Sequence, residues 1–472
     1  MPTRSEPARF LRVIRDYPFK PGSTPGRCVG FASAMSTVGQ PLALSVPAVG
    51  LVHLRRLLGL GSLGGLLYCS WVIVTGAANL PTRLVPGRSG GFPLWLRGPL
   101  GDLGNPLHYH DFVVLVVVML GLFVVALLCA TELRPGWVIG TVVLLHALFL
   151  LGPPLISGDV FGYVDWARAG VLHGLNPYST DSGTVVSDAV YRFVQWDNFS
   201  SPYGPLFTLF TYAVVPLGVA GAFWALKLAV FGASLGVCAL IWAGARRRGL
   251  SPLPGLVLYG LNPAVLVYAL GGVHNDVLMM LPLLGSVYLV LLGRDRLGPA
   301  VASLAVAVKA SAGLAVPFVV LGARRRLDAL AVAVATGVAV VAVAFIAFGT
   351  HAADFLNVLG TQQKLDSGTS VIAQLGGWFG WKGNPPGARA VAGLVFGVVL
   401  VYLLWRAWRR PDEWLECAGW ATVFLMACTS WLLAWYIVWL VPLAGLARTR
   451  WLHAAAVAAT LFVVLTRTAP FL

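Results

Sequence analysis

Three polar constellations interrupt an otherwise apolar chain, and each holds residue types that move protons or bind anions. The first is Ser157 to Ser179, SGDVFGYVDWARAGVLHGLNPYS, with Ser200 to Leu206, SSPYGPL, behind it. Its leading acid, Asp159, is a candidate general base, since a carboxylate held near an acceptor hydroxyl takes its proton as the hydroxyl attacks. Tyr163, Arg168 and Tyr203 in the same stretch are candidate substrate contacts. The second constellation is Gly271-Gly-Val-His-Asn-Asp276, with His274, Asn275 and Asp276 in a row. Ionisable groups beside apolar spans are costly and usually functional. The third is Lys309 in VASLAVAVKASAGLAVPF, an ammonium that either reaches the interface or meets a bound anion such as a phosphate.

Each has a plainer explanation. Asp159, Asn275 and Asp276 are residue types that cap helix starts. Lys364 and Asp366 in TQQKLDSGTS form either a loop closing over substrate or a solvated turn. Trp431, Trp435, Tyr436 and Trp439 form either an interfacial aromatic belt or a wall touching sugar or lipid. Lys227, in the outer part of an apolar run, is open to either reading. Asp159, His274 and Asp276 are of types that bind divalent ions. The six cysteines, Cys28, Cys69, Cys129, Cys238, Cys417 and Cys428, show no metal spacing and read as small buried hydrophobes.

The elements that must position these groups are membrane helices. Of 472 residues, 58% are hydrophobic and 11% charged, against about 25% charged in a soluble domain. Mean hydropathy is +0.81. The net charge of +15 lies in Arg clusters between apolar runs, which is the positive-inside pattern and excludes nucleic acid as the partner. About thirteen apolar runs lie near 57–78, 111–130, 137–152, 222–245, 253–270, 277–293, 298–308, 311–322, 327–349, 388–408, 414–428, 432–446 and 451–468. Several are shorter than the roughly 20 residues of a full crossing. The pair 298–308 and 311–322 reads as two half-length helices meeting near Lys309.

Arg55–Arg56, Arg134, Arg246–Arg248, Arg294 and Arg296, Arg324–Arg326, Arg406 with Arg409–Arg410, and Arg448 with Arg450 fall on one side, expected to be cytoplasmic. The loop 152–221, with Asp159, then faces outside. Phe161, Val164, Ala167, Val171 and Leu172 recur at helical spacing, and this helix is expected in the interface, apolar face toward lipid, ended by Gly174 and Pro177. Pro205 to Leu217 reads as a second interfacial or re-entrant helix. Residues 1–54 read as a poorly ordered cytoplasmic tail, with Met35 a second candidate start and no signal-peptide core. No repeat is visible.

Asp159-Val-Phe-x-Tyr163, Gly174-Leu-Asn-Pro-Tyr178 and Ser201-Pro-Tyr-Gly-Pro205 resemble the first outer loop of bacterial GT-C glycosyltransferases. They most resemble the actinobacterial polyprenol-phosphate-mannose-dependent mannosyltransferases of lipoglycan synthesis. Gly272-Val-His-Asn-Asp276, Lys309-Ala-Ser and Trp431 to Trp439 extend the resemblance, which covers roughly 55 to 470. The loop pattern marks the superfamily more than any one linkage, and three spans precede the loop where the minimal pattern has one. The resemblance implies an all-α polytopic fold in the inner membrane, with 55–472 as the transferase domain. It implies the outer-loop Asp159 as the catalytic residue, and transfer from a polyprenyl-phosphate sugar without metal or other cofactor. The acceptor would be a hydroxyl of a glycolipid or glycan. Arabinofuranose or glucose donors, and a lipid or solute transporter, stay open as alternatives. A P-loop or Rossmann fingerprint is absent.

Overall fold

The computed structural model describes residues 48–79, 84, 93–101, 103–196, 198–362, 364–468 and 470. Among them the chain is helical, with no strand. Lipid offers no hydrogen bonds, so apolar runs satisfy their backbones internally as helices. The expected tail lies outside the described residues as far as residue 47, as do Cys28 and Met35.

The helices are α1 (Ala48–Gly76), α2 (Leu94–Arg97), α3 (Tyr109–Leu128), α4 (Pro135–Leu151), α5 (Asp159–His173), α6 (Pro205–Val214), α7 (Gly218–Arg247), α8 (Pro252–Gly260) and α9 (Asn275–Leu291). There follow α10 (Leu297–Val308), α11 (Val316–Gly322), α12 (Arg326–Phe348), α13 (Asp354–Gln362), α14 (Val371–Gly377), α15 (Pro386–Arg409), α16 (Trp414–Cys428), α17 (Val441–Leu446) and α18 (Arg450–Thr468). Each of the apolar runs falls on helix. Six helical stretches among the described residues are long and apolar enough to cross a membrane. A seventh is α8 with the π-helical Ala264–Leu270, bent by 46°. The chain is thus an all-α polytopic membrane protein. Runs such as Asn275–Leu291 and Leu297–Val308 are shorter apolar helices, so the number of runs is not the number of crossings.

α10 ends at Lys309, whose backbone is extended (φ −152°, ψ 129°) before a 3-10 turn, Ala310–Leu314, leads into α11. This is the break between half-length helices that the apolar spacing predicts. Arginines of the clusters between apolar runs find partners on other helix ends. Arg55 pairs with Glu132, Arg248 with Glu416, and Arg296 with Asp328, while Arg326 donates to the Trp408 carbonyl.

One expectation is corrected in part. Along its first three turns α5 turns no apolar face to lipid, since Val160 to Ala167 and Ala169 are all buried, while Val171 and Leu172 near its end are exposed. Phe161 stacks between Phe193 and Phe223, at 4.8 and 5.8 Å. The 174–204 segment folds back over the helix and gives its polar side partners, with Ser182 and Gly183 donating to Asp165. The Pro205–Leu217 stretch forms a short helix of its own, α6 (Pro205–Val214), and a 3-10 turn, Val215–Leu217, set off from α7 by Gly218 at φ 71° and ψ −178°.

Candidate active site

Asp159 is the first residue of α5, and Gly158 holds the N-cap position without a side-chain bond. The carboxylate therefore does not cap the helix. It is engaged elsewhere: Trp196 Nε1 donates to Oδ1 at 2.9 Å, and His274 Nδ1 stands 3.3 Å from Oδ2. The His274 ring is fully buried, stacked on Trp435 at 3.7 Å, and neither of its nitrogens meets hydrogen-bond geometry. Burial pushes the Asp159 carboxyl up. The adjacent His274, with bonds from Trp196 and Ser157, outweighs that and holds it below the ordinary carboxylate range.

The backbone carrying these groups is strained on both sides. Ile156 (φ 66°) and Val273 (φ 56°) sit in the left-handed region, which β-branched residues avoid. Such residues cost about 1–3 kcal/mol each and cluster at functional sites. The two segments are joined by the Leu155 N–H donating to the Gly271 carbonyl at 2.8 Å.

Asp276 is fully buried near the start of α9. Lys309 Nζ lies 2.7 Å from its Oδ2, and Trp439 Nε1 donates to its Oδ1 at 2.7 Å. Lys309 also reaches Asn275 Oδ1 at 3.4 Å and lies over the rings of Tyr203, Tyr436 and Trp439. It does not snorkel; the break after α10 aims it inward. Neither Asn275 nor Asp276 caps α9 by its side chain, and Asn275 Nδ2 is buried without a partner. Tyr163 Oη accepts the Asn275 N–H at 3.4 Å.

Asp159, Tyr203 and Lys309 line one cavity of about 690 Å³, with Trp196, Trp431 and Tyr436. The aromatic run 431–439 thus faces this cavity, or Asp276 through Trp439, rather than forming a belt toward lipid. His274, Asn275, Asp276 and Tyr163 form the layer behind. Among the described residues no group of three His, Cys, Asp or Glu has metal-holding geometry.

Other sequence candidates lie apart. Arg168 Nε pairs with Asp188 at 2.8 Å, bracing the loop over α5. Lys364 is exposed, although its neighbours Gln362 and Leu365 line the cavity. Asp366 accepts from the backbone and side chain of Asn384, so it shapes its own loop. Lys227 is fully buried and donates to the Gly152 carbonyl at the end of α4, among Phe223, Trp224 and Phe231. The residue that sequence reasoning passed over is Trp196. Its signal was an aromatic in the polar part of the Asp159 loop.

Next to this cavity, behind Gly204 and Ala307, an apolar cavity of about 1390 Å³ opens along α10, α11 and α12. It shares Ser303, Val316 and Pro317 with a second apolar cavity of about 1700 Å³. The Gly204 N–H donates to the Val308 carbonyl at 3.1 Å, joining the start of α6 to the end of α10.

Residues 58–325 match the family model described as "Alpha-(1->6)-mannopyranosyltransferase, N-terminal domain", and residues 373–470 match the "MptB C-terminal domain". Alpha-(1->6)-mannopyranosyltransferase A of Mycobacterium tuberculosis is 29% identical over 350 residues, 64% of this chain and 63% of that protein. A probable alpha-(1->6)-mannopyranosyltransferase of Mycolicibacterium smegmatis is 30% identical over 169 residues, 34% of this chain and 30% of that protein. Alpha-(1->6)-mannopyranosyltransferase A of Corynebacterium glutamicum is 31% identical over 183 residues, 36% of each chain. The matched segment thus spans 63% or less of each of these relatives' length. No solved structure matches the chain significantly.

Proposed function

The chain belongs to the alpha-(1->6)-mannopyranosyltransferase family, and we propose that it transfers mannose from a polyprenyl-phosphate donor to a hydroxyl of a glycolipid or glycan. The observation that carries this reading is one cavity holding a carboxylate and an ammonium, Asp159 and Lys309, each fixed by buried partners. Asp159 removes the proton of the acceptor hydroxyl as its oxygen bonds to the anomeric carbon. The bond from that carbon to the phosphate oxygen breaks on the opposite side, and the electron pair leaves with the polyprenyl phosphate. Lys309 meets the charge that develops there. Asp276 and Asn275 take two of its N–H groups and leave a third for the phosphate.

The apolar cavities along α10, α11 and α12 support a donor whose chain stays in an apolar setting while its phosphate reaches Lys309. The placement of the Arg clusters between apolar runs supports an active site on the extracytoplasmic face of the inner membrane. The relatives' names carry an α-(1→6) linkage. An α-mannoside made by inversion requires a β-configured donor.

The test is transfer by purified protein from radiolabelled β-configured polyprenyl-phosphate mannose to α-(1→6)-mannobiose. The expected product is a labelled trisaccharide with a new α-linkage, and the α-anomer of the donor is not consumed. Transfer from the arabinofuranose or glucose donor alone would move the reading to that sugar. Transport of the lipid without covalent change would abandon the transferase.

A further inference from the structure

Beside the candidate active site lies a separate polar cavity of about 740 Å³, between the 176–200 loop and α13. We propose that it holds the sugar units of the acceptor that trail behind the reacting hydroxyl, and that its ligand is an uncharged oligosaccharide. The proposal rests on the transfer reaction above and adds the place and chemical class of the acceptor.

The first observation is continuity. Phe199 lines both this cavity and the one holding Asp159 and Lys309. Thr361 lines the polar cavity and its chain neighbour Gln362 lines the other. A glycan seated in the polar cavity therefore borders the space where Asp159 acts.

The second is the lining. Phe199 offers a ring surface, and Asp181, Asp354, Asn357 and Thr361 line the cavity with it. Sugar hydroxyls both donate and accept, so carboxylates, an amide and a hydroxyl suit them together. Asp181 and Asp354 are each held, by Ser200 Oγ at 2.7 Å and by His351 Nδ1 at 2.9 Å. The side chains of Asn357 and Thr361 make no hydrogen bond to the described residues and remain open to a ligand.

The third is charge. This cavity is lined by two carboxylates and no Lys or Arg, whereas the neighbouring one has Lys309. A lipid phosphate is repelled from the first and attracted to the second, while a neutral glycan is not. The adjoining apolar cavity, which shares Tyr178, suits neither hydroxyls nor charge. Donor and acceptor are thus sorted by the chemistry of the walls.

The experiment uses the full chain in lipid nanodiscs and α-(1→6)-linked mannotetraose as the probe, with binding measured by calorimetry. Asn357→Trp fills the cavity from an exposed helix position, and Thr361→Val removes one hydroxyl at constant shape. Binding at least tenfold weaker in Asn357→Trp and several-fold weaker in Thr361→Val is expected. In transfer assays the acceptor KM of Asn357→Trp rises more for mannotetraose than for mannobiose. Equal affinity in wild type and Asn357→Trp, or no binding of the glycan by wild type, overturns the proposal. A rise in donor KM in place of acceptor KM assigns the cavity to the donor and also overturns it. If wild type binds mannotetraose, loses it on substitution, and transfers from no polyprenyl-phosphate mannose, the transfer reaction fails and the glycan site stands. If transfer is robust and the variants change nothing, the glycan site fails alone.

Discussion

His274 Nδ1 stands 3.3 Å from Asp159 Oδ2, with the imidazole buried and stacked on Trp435. The start of α5 and the turn before α9 are thereby locked together, and the carboxylate keeps an exposed edge in the cavity. The side chain of Asp159 is 13% exposed. A carboxylate held in this way is fixed in orientation without being sealed from the cavity.

Asp159→Asn tests the base. The change keeps shape and an acceptor for the Trp196 N–H, and because Asp159 does not cap α5 no capping energy is lost. Loss of a positioned general base typically lowers the rate about 10²–10⁴-fold. A folded, inserted protein with kcat reduced by that factor is expected, checked by transfer assay and thermal melting. A wild-type rate removes Asp159 from the chemistry and turns attention to Asp276.

The pH profile follows from the depressed Asp159 carboxyl. A depressed carboxylate contributes stability above its unfolded pKa and loses it as pH falls through the folded value. The same ionisation gives the acid limb of kcat/KM, which should lie below the ordinary carboxylate range. Trp196→Phe removes one bond to the charged form, so the limb moves to higher pH and kcat/KM drops, by roughly 10- to 150-fold for a bond to a charged group worth about 1.5–3 kcal/mol. An unmoved limb in a stopped-assay pH series would show that Trp196 does not support the ionised acid.

Lys309 has two roles that a double variant separates. Lys309→Ala strands the buried Asp276 carboxylate, and breaking such a pair costs about 3–5 kcal/mol. Its melting temperature should fall, and Asp276→Asn added to it should restore much of the loss. Donor use should stay impaired in the double variant, since a contact to developing charge is worth about 2–4 kcal/mol. Lys309→Arg should regain part of it. Wild-type donor kinetics in the double variant would leave Lys309 with a purely structural role.

At Gly204 the start of α6 lies directly against the end of α10. A Cβ there would fall on the Ala307 backbone carbonyl. Gly204→Ala should destabilise by about 1–3 kcal/mol, as overpacking does. It should also part Tyr203 from Lys309 and lower transfer. An unchanged melting curve would contradict that contact.

Sidedness is tested by cysteine labelling in intact cells. Val186 lies in the loop after α5 and is 67% exposed, and Arg246 is exposed at the end of α7. An impermeant thiol reagent should label Val186→Cys and not Arg246→Cys. The reverse pattern would invert the topology and move the candidate site to the cytoplasmic face.

The sequence by itself determined the helical membrane architecture, the apolar runs and the break at Lys309. Hydropathy, helix length and breaker residues act over a few neighbouring positions, so they are legible without a fold. It also marked Asp159, His274, Asp276 and Lys309 as costly polar groups in an apolar chain. Tertiary structure alone decided their partners: Asp159 with His274 and Trp196, Lys309 with Asp276, and Arg168 with Asp188. The contacts of Asp159, and that of Lys309, join residues more than thirty positions apart, where local pattern carries no information about pairing. The burial of α5 was hidden for the same reason. Its amphipathic spacing suits lipid or protein equally, and only the segment folding back from 174 to 204 supplies protein on its polar side. Chain distance likewise concealed that 176–200 and α13 enclose a polar cavity against the one holding Asp159.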